Sequence, residues 1–112
     1  MKNISSKRAK ACAISQKVKQ KVYERDEGLC VICGRPGLPE AHYIPRSQGG
    51  LGIEENIVTL CRRCHHDYDQ GGRVAREVIG RQIRDYLRKH YDNWCEYELK
   101  YDKWRDIWKD IP

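Results

Sequence analysis

The chain has 112 residues, of which 34% are charged and 39% hydrophobic, and carries a net charge of +6. That is enough for one compact domain with an appendage and too little for two cores, and so thin a core calls for a staple of disulfides or metal. No apolar run is long enough to span a membrane and no signal-peptide core follows Lys2, so the protein is expected in the cytoplasm, with no membrane partner.

The charge is unevenly placed. Residues 1–25 hold eight basic side chains (Lys2, Lys7, Arg8, Lys10, Lys17, Lys19, Lys21, Arg25) against one acid, Glu24, which leaves the rest of the chain close to neutral. Residues 1–14 read as a mobile basic arm suited to a phosphate backbone, with Lys7, Arg8 and Lys10 as candidate DNA contacts. The alternative is an ordinary solvated stretch. Ser15 is positioned to cap a helix carrying Val18, Val22 and Tyr23 on one side, and Gly28 is a natural stop. Ala41–Ile44 is a short candidate strand, residues 46–52 form a glycine-rich loop, and the β-branched run Ile57-Val58-Thr59-Leu60 reads as the returning strand. A helix is expected from Cys61 through Asp69, ended by the hinge Gly71-Gly72. Beyond it, Val74, Val78, Ile83 and Leu87 predict a helix with one apolar side and with Arg81, Arg84 and Arg88 on another face. Asn93 with Glu96 predicts the cap of a second helix. That helix would align Trp94, Tyr97, Tyr101, Trp104, Trp108 and Ile111 as a packing surface, a candidate homodimer contact. The fold class expected is α+β: an arm over 1–14, a central domain over 15–70 and a helical extension over 71–112.

Six cysteines in a reducing compartment are poor candidates for disulfides. Cys30-x-x-Cys33 and Cys61-x-x-Cys64, 27 residues apart, have the spacing of a tetrahedral four-cysteine zinc site. Such an ion contributes on the order of 10 kcal/mol to folding and offsets the thin core. Cys12 and Cys95 have no comparable partners.

Between and just after the knuckles lie His42, Pro45, Gly49-Gly50, Asn56 and the run Leu60-Cys61-Arg62-Arg63-Cys64-His65. In this order the segment resembles the HNH, or ββα-metal, endonucleases over roughly residues 15–70. The resemblance implies a ββα catalytic unit stapled by structural zinc that hydrolyses DNA phosphodiester bonds. His42 matches the general base, Asn56 the residue that holds the loop and orients the base, and His65 a ligand of a catalytic divalent metal such as Mg²⁺ or Mn²⁺. Asp69, one turn after His65, can share that ion. The residue before the base is commonly a ligand in the family; here it is Ala41, so either His65, Asp69 and waters hold the ion, or Glu40 or His42 reaches in. Glu40 is the poorer substitute, since it faces the other side of the strand from Ala41. Arg46, Arg62 and Arg63 are candidate phosphate contacts beside the site. Small free-standing chains of this kind resemble phage and prophage proteins, which implies DNA-packaging proteins as further partners. A zinc-stapled module that binds DNA or a protein and cuts nothing is the alternative.

Overall fold

The computed structural model describes residues 6–103. Lys2, Trp104, Trp108 and Ile111 lie outside them. In chain order the elements are α1 (Lys7–Cys12), α2 (Gln16–Arg25), β1 (Leu38–His42), β2 (Ile57–Leu60), α3 (Arg62–Gln70) and α4 (Arg73–His90), with 3-10 turns at Arg46–Gln48 and Glu96–Leu99. The result is a small α+β unit in which two antiparallel strands lie between α2 and the pair α3–α4.

The local signals act as their chemistry dictates. The Ser15 hydroxyl accepts from the Val18 amide at 3.2 Å and starts α2, satisfying an amide that the helix cannot pair. The register pairs Leu38 with Leu60, Ala41 with Val58 and His42 with Ile57, so β1 carries one extra residue between Leu38 and Ala41. Pro39, which has no amide to donate, sits in that bulge. All four residues of β2 are buried. The core joins Ala41, Val58 and Leu60 of the strands to Tyr68 of α3 and Ile83 and Leu87 of α4, and continues into Cys30, Cys61 and Cys64.

A buried ion pair ties the layers together. Arg25 donates to both carboxylate oxygens of Asp26 at 2.7 and 3.1 Å. The same carboxylate accepts from the Thr59 amide at 2.8 Å and the Tyr86 hydroxyl at 2.6 Å. Arg25 also reaches the carbonyls of Glu54 and Ile57 and the Tyr91 hydroxyl. One pair thus links α2 to β2 and α4.

Four expectations are corrected. Lys7–Cys12 is a helix rather than a mobile arm, capped by Ser6 and anchored by Cys12, which is 2% exposed. On α4 the buried positions are Gly80, Ile83 and Leu87, while Val74 and Val78 are exposed, because the N-terminal turns of α4 extend beyond the core. Tyr23 is also exposed. Over 93–102 the expected second C-terminal helix is replaced by one 3-10 turn, after which the chain bridges from Lys100 to Gly50, and helix resumes only at Lys103. Trp94 is turned inward, its indole N–H donating to the Glu55 carbonyl at 2.8 Å and its ring 5.7 Å from that of Tyr43. Of the described members of the aromatic stripe, Trp94 packs inward while Tyr97 is exposed, so they do not share one packing face.

Removing the Asp26 carboxylate would leave Arg25 buried and uncompensated, a change that costs about 3–5 kcal/mol. Asp26→Ala is expected to lower the urea midpoint accordingly in equilibrium unfolding, with Thr59→Ala, which leaves the pair intact, as the milder comparison.

Candidate functional site

The two knuckles converge. The Sγ atoms of Cys30, Cys33, Cys61 and Cys64 all lie within 4.8 Å of one another, and those of Cys33 and Cys61 are 3.5 Å apart. Four thiolates about 2.3 Å from one tetrahedral ion would stand roughly 3.8 Å apart, so the cluster fits such an ion. The Cys64 amide donates to Cys61 Sγ and, with the neighbouring cysteines outweighing burial, holds that thiol down to about 7, while burial pushes the Cys64 thiol up. Cys61 has a second duty as the N-cap of α3. Among the described residues this is the one group of three or more close ligating side chains.

A second site opens on the other side of β1. Strand alternation turns Ala41 into the core at 0% exposure and turns its neighbours outward. Glu40 and His42, two apart, line a cleft of about 520 Å³ with Arg46, His65, Asp69 and Arg76. His65 Nε2 and Asp69 Oδ2 are 3.2 Å apart, one turn from each other on α3. Glu40 faces away from Ala41, as strand alternation predicts, and shares a side with His42, where its carboxylate pairs with Lys19 at 3.4 Å.

His42 is fixed from an unexpected direction. Its Nε2 lies 2.8 Å from the carbonyl oxygen of Cys12. A carbonyl only accepts, so Nε2 carries the hydrogen and Nδ1 of the neutral ring keeps its lone pair. Burial holds the His42 pKa below its ordinary value; the Cys12 hydrogen bond and Asp69 oppose this, and Arg46 and His65 add to it. Helix α1 is seated to make this contact. Ala11 accepts from the Gly52 amide at 3.0 Å, and Arg8 reaches the Ser47 carbonyl at 3.1 Å. A Cβ on residue 52 would come within 2.0 Å of the Ala13 carbonyl, which is why glycine stands there.

Asn56, fully buried, braces the loop between the strands. Its Oδ1 accepts from the Ile44 amide at 2.8 Å, and its Nδ2 donates to the carbonyls of Ile44 and Leu51 at 3.2 and 2.8 Å. Its own carbonyl accepts from the Tyr43 amide, next to His42, at 2.7 Å. Of the residues singled out from sequence, His42, Arg46, His65 and Asp69 share the cleft. Arg62 lines the adjoining hollow with His65 and Asp69. Arg63 is exposed and lines neither, and Lys7 and Lys10 are exposed on α1. Arg8, also exposed, donates to the carbonyls of Arg46 and Ser47. Sequence reasoning missed the Cys12 carbonyl and Arg76; period-two alternation from His42 was the signal that finds Glu40.

Residues 30–70, from the first knuckle to the end of α3, match the model of the HNH endonuclease family. The chain is also similar to the type IV methyl-directed restriction enzyme EcoKMcrA of Escherichia coli (strain K12). The two are 32% identical over 72 residues, covering 55% of this chain and 26% of the relative, so the chain spans about a quarter of that relative's length. Among the described residues, no helix is long and apolar enough to cross a membrane.

If the Cys12 carbonyl sets the tautomer of His42, deleting residues 1–13 removes the acceptor. Long-range proton–nitrogen NMR is expected to find a single Nε2–H form in the full chain and exchange between both tautomers in the truncated one. An unchanged tautomer in the truncated chain would show that another group holds the ring.

Proposed function

We propose that this chain is a metal-dependent endonuclease that hydrolyses phosphodiester bonds of DNA, with zinc in the four-cysteine cluster as structural metal. What carries the reading is that His42, His65 and Asp69 line one cleft beside a loop braced by buried Asn56. A binder that cuts nothing has no use for a neutral imidazole facing a His–Asp pair.

In this mechanism His42 takes a proton from the attacking water on Nδ1, the nitrogen left free by the Cys12 contact. Asn56 keeps the backbone beside His42 in place and so positions the base without touching the reacting atoms. His65 and Asp69 would hold a hard divalent cation, Mg²⁺ or Mn²⁺, with Glu40 across the cleft as a further carboxylate. When bound, that ion supplies stabilisation of negative charge on the scissile phosphate and the leaving 3′ oxygen. Arg46, in the same cleft, faces the phosphate with a fixed positive charge, and Arg62 in the adjoining hollow meets the flanking backbone. Arg63, Lys7 and Lys10 are left as exposed charges that strengthen DNA binding at low salt.

The structural zinc is expected at one equivalent per chain by elemental analysis after dialysis. Cys61→Ser, which loses both a ligand and the cap of α3, is expected to lose the metal and the cooperative melting transition. A metal-free chain that still melts cooperatively would contradict the structural role of the cluster.

Plasmid nicking with a panel of divalent metals tests the activity. The wild type is expected to nick, and His42→Ala to lose about 10²–10⁴ in rate while still binding DNA and metal. His65→Ala and Asp69→Ala are expected to weaken metal binding by calorimetry, with activity partly recovered at high Mg²⁺ or Mn²⁺. A wild type that binds plasmid well but nicks it with no divalent metal would make the chain a binding module instead.

A further inference from the structure

A second groove, of about 490 Å³, joins the catalytic cleft and shares Pro45, Gln48 and Arg76 with it. Its wall is one stripe of α4: Arg73, Arg76, Arg81 and Arg84 all face it, and Lys100 closes the far side. Lys100 is held there by the backbone bridge to Gly50 in the catalytic loop, supported by the Tyr101 amide donating to the Gly49 carbonyl at 2.7 Å. Five cations therefore line the groove against two carboxylates, Glu77 and Glu96. Glu96 already accepts from the Tyr43 hydroxyl at 2.5 Å. Arg84 has Asp85 at 3.8 Å, but among the described residues neither Arg73 nor Arg81 is within ion-pair distance of a carboxylate.

Arg76 stands where the two hollows meet and is the most constrained of the set. It donates to the Tyr68 carbonyl at 3.1 Å, and its guanidinium lies 4.6 Å from the centre of the Tyr68 ring. Stacking and one hydrogen bond hold the planar head while donors remain for a ligand. The helical stripe from Arg73 to Arg84 runs about 16 Å, the axial length of roughly five phosphates on one DNA strand.

Resting on the reading of this chain as a DNA endonuclease, we infer that the α4 groove seats the phosphodiester backbone of duplex DNA flanking the scissile bond, with Arg76 gripping the phosphate where groove and cleft join. The charge has the sign of such a ligand, the length fits a run of phosphates, and the groove opens directly onto His42, His65 and Asp69. This surface comes from α4 and Lys100, outside the segment that matches the HNH family.

The test measures the salt dependence of binding to a fluorescein-labelled 30-base-pair duplex by anisotropy, without added divalent metal so that nothing is cut. The wild type is compared with an Arg73→Ala/Arg81→Ala/Lys100→Ala variant, all three positions being exposed. Each lost phosphate contact removes about 0.9 from the log–log slope, so the triple variant is expected to lose about 2–3 units. Arg81→Glu alone, a single exposed change, is expected to lose about one. Zinc content and melting check that the variants are folded. A folded variant of either kind that keeps the wild-type slope overturns the groove. Plasmid nicking by the wild type reports separately on the nuclease reading: a chain that nicks nothing but loses slope in the variants keeps the groove and loses the enzyme.

Discussion

The convergence of four cysteines places the α3 side of the cleft. Cys30 and Cys33 come from a turn that pairs with β2 through the Val31 amide and Thr59 carbonyl, and Cys61 and Cys64 come from the end of β2 and the first turn of α3. Bringing their sulfurs within 4.8 Å sets where α3 leaves the sheet, and His65 is the next residue after Cys64. A helix directed otherwise would carry His65 and Asp69 away from His42. Without a cation, closely packed thiols and thiolates would not hold this arrangement against a chain with so small a core. The cysteine cluster and the cleft are therefore one construction, with α3 as the shared part.

The loop between the strands is the second constraint, and it acts through backbone groups. A Cβ on Gly50 would meet the Ile44 carbonyl at 1.6 Å, so only glycine lets the loop fold back over β1. Asn56 then satisfies the amide and carbonyl of Ile44 that this tight path takes away from water. The Arg25–Asp26 pair does the same for the Thr59 amide and the Ile57 carbonyl on the other side of β2. In both places a polar side chain is buried because the backbone beside it has no other partner.

What was legible in the sequence follows from this division. The knuckles, His42, Asn56, His65 and Asp69 could be read because their chemistry resides in side chains at fixed spacing. Glu40 was within reach of the same reasoning: counted from His42 rather than from Ala41, a strand of period two brings it to the cleft. Helix α1 was not legible, since six residues with one buried anchor do not form a helix by themselves and this one depends on Gly52, Ser47 and His42. The aromatic periodicity after Asn93 misled for a related reason. Trp94 and Leu99 are drawn inward from separate turns, and the Lys100–Gly50 bridge follows them, so from Trp94 to Tyr101 the spacing of three and four does not trace one helical face.

The residues that escaped notice share a property with consequences for how the site is built. The segment that matches the HNH family supplies the side chains that a family comparison can recognise, but it does not complete their surroundings. The nitrogen that His42 leaves free is decided by a carbonyl of α1, and the arginine held over Tyr68 at the edge of the cleft comes from α4. Both flanks act through position: a peptide carbonyl has no residue identity to read, and Arg76 is one of many arginines in a basic chain until Tyr68 fixes it. A domain of this size can present a His–Asp pair and a neutral histidine from its own strands and helix, but it is too small to surround them. Packing α1 against one side of the loop and α4 against the other provides the rest, and makes the flanking helices part of the site rather than attachments to it.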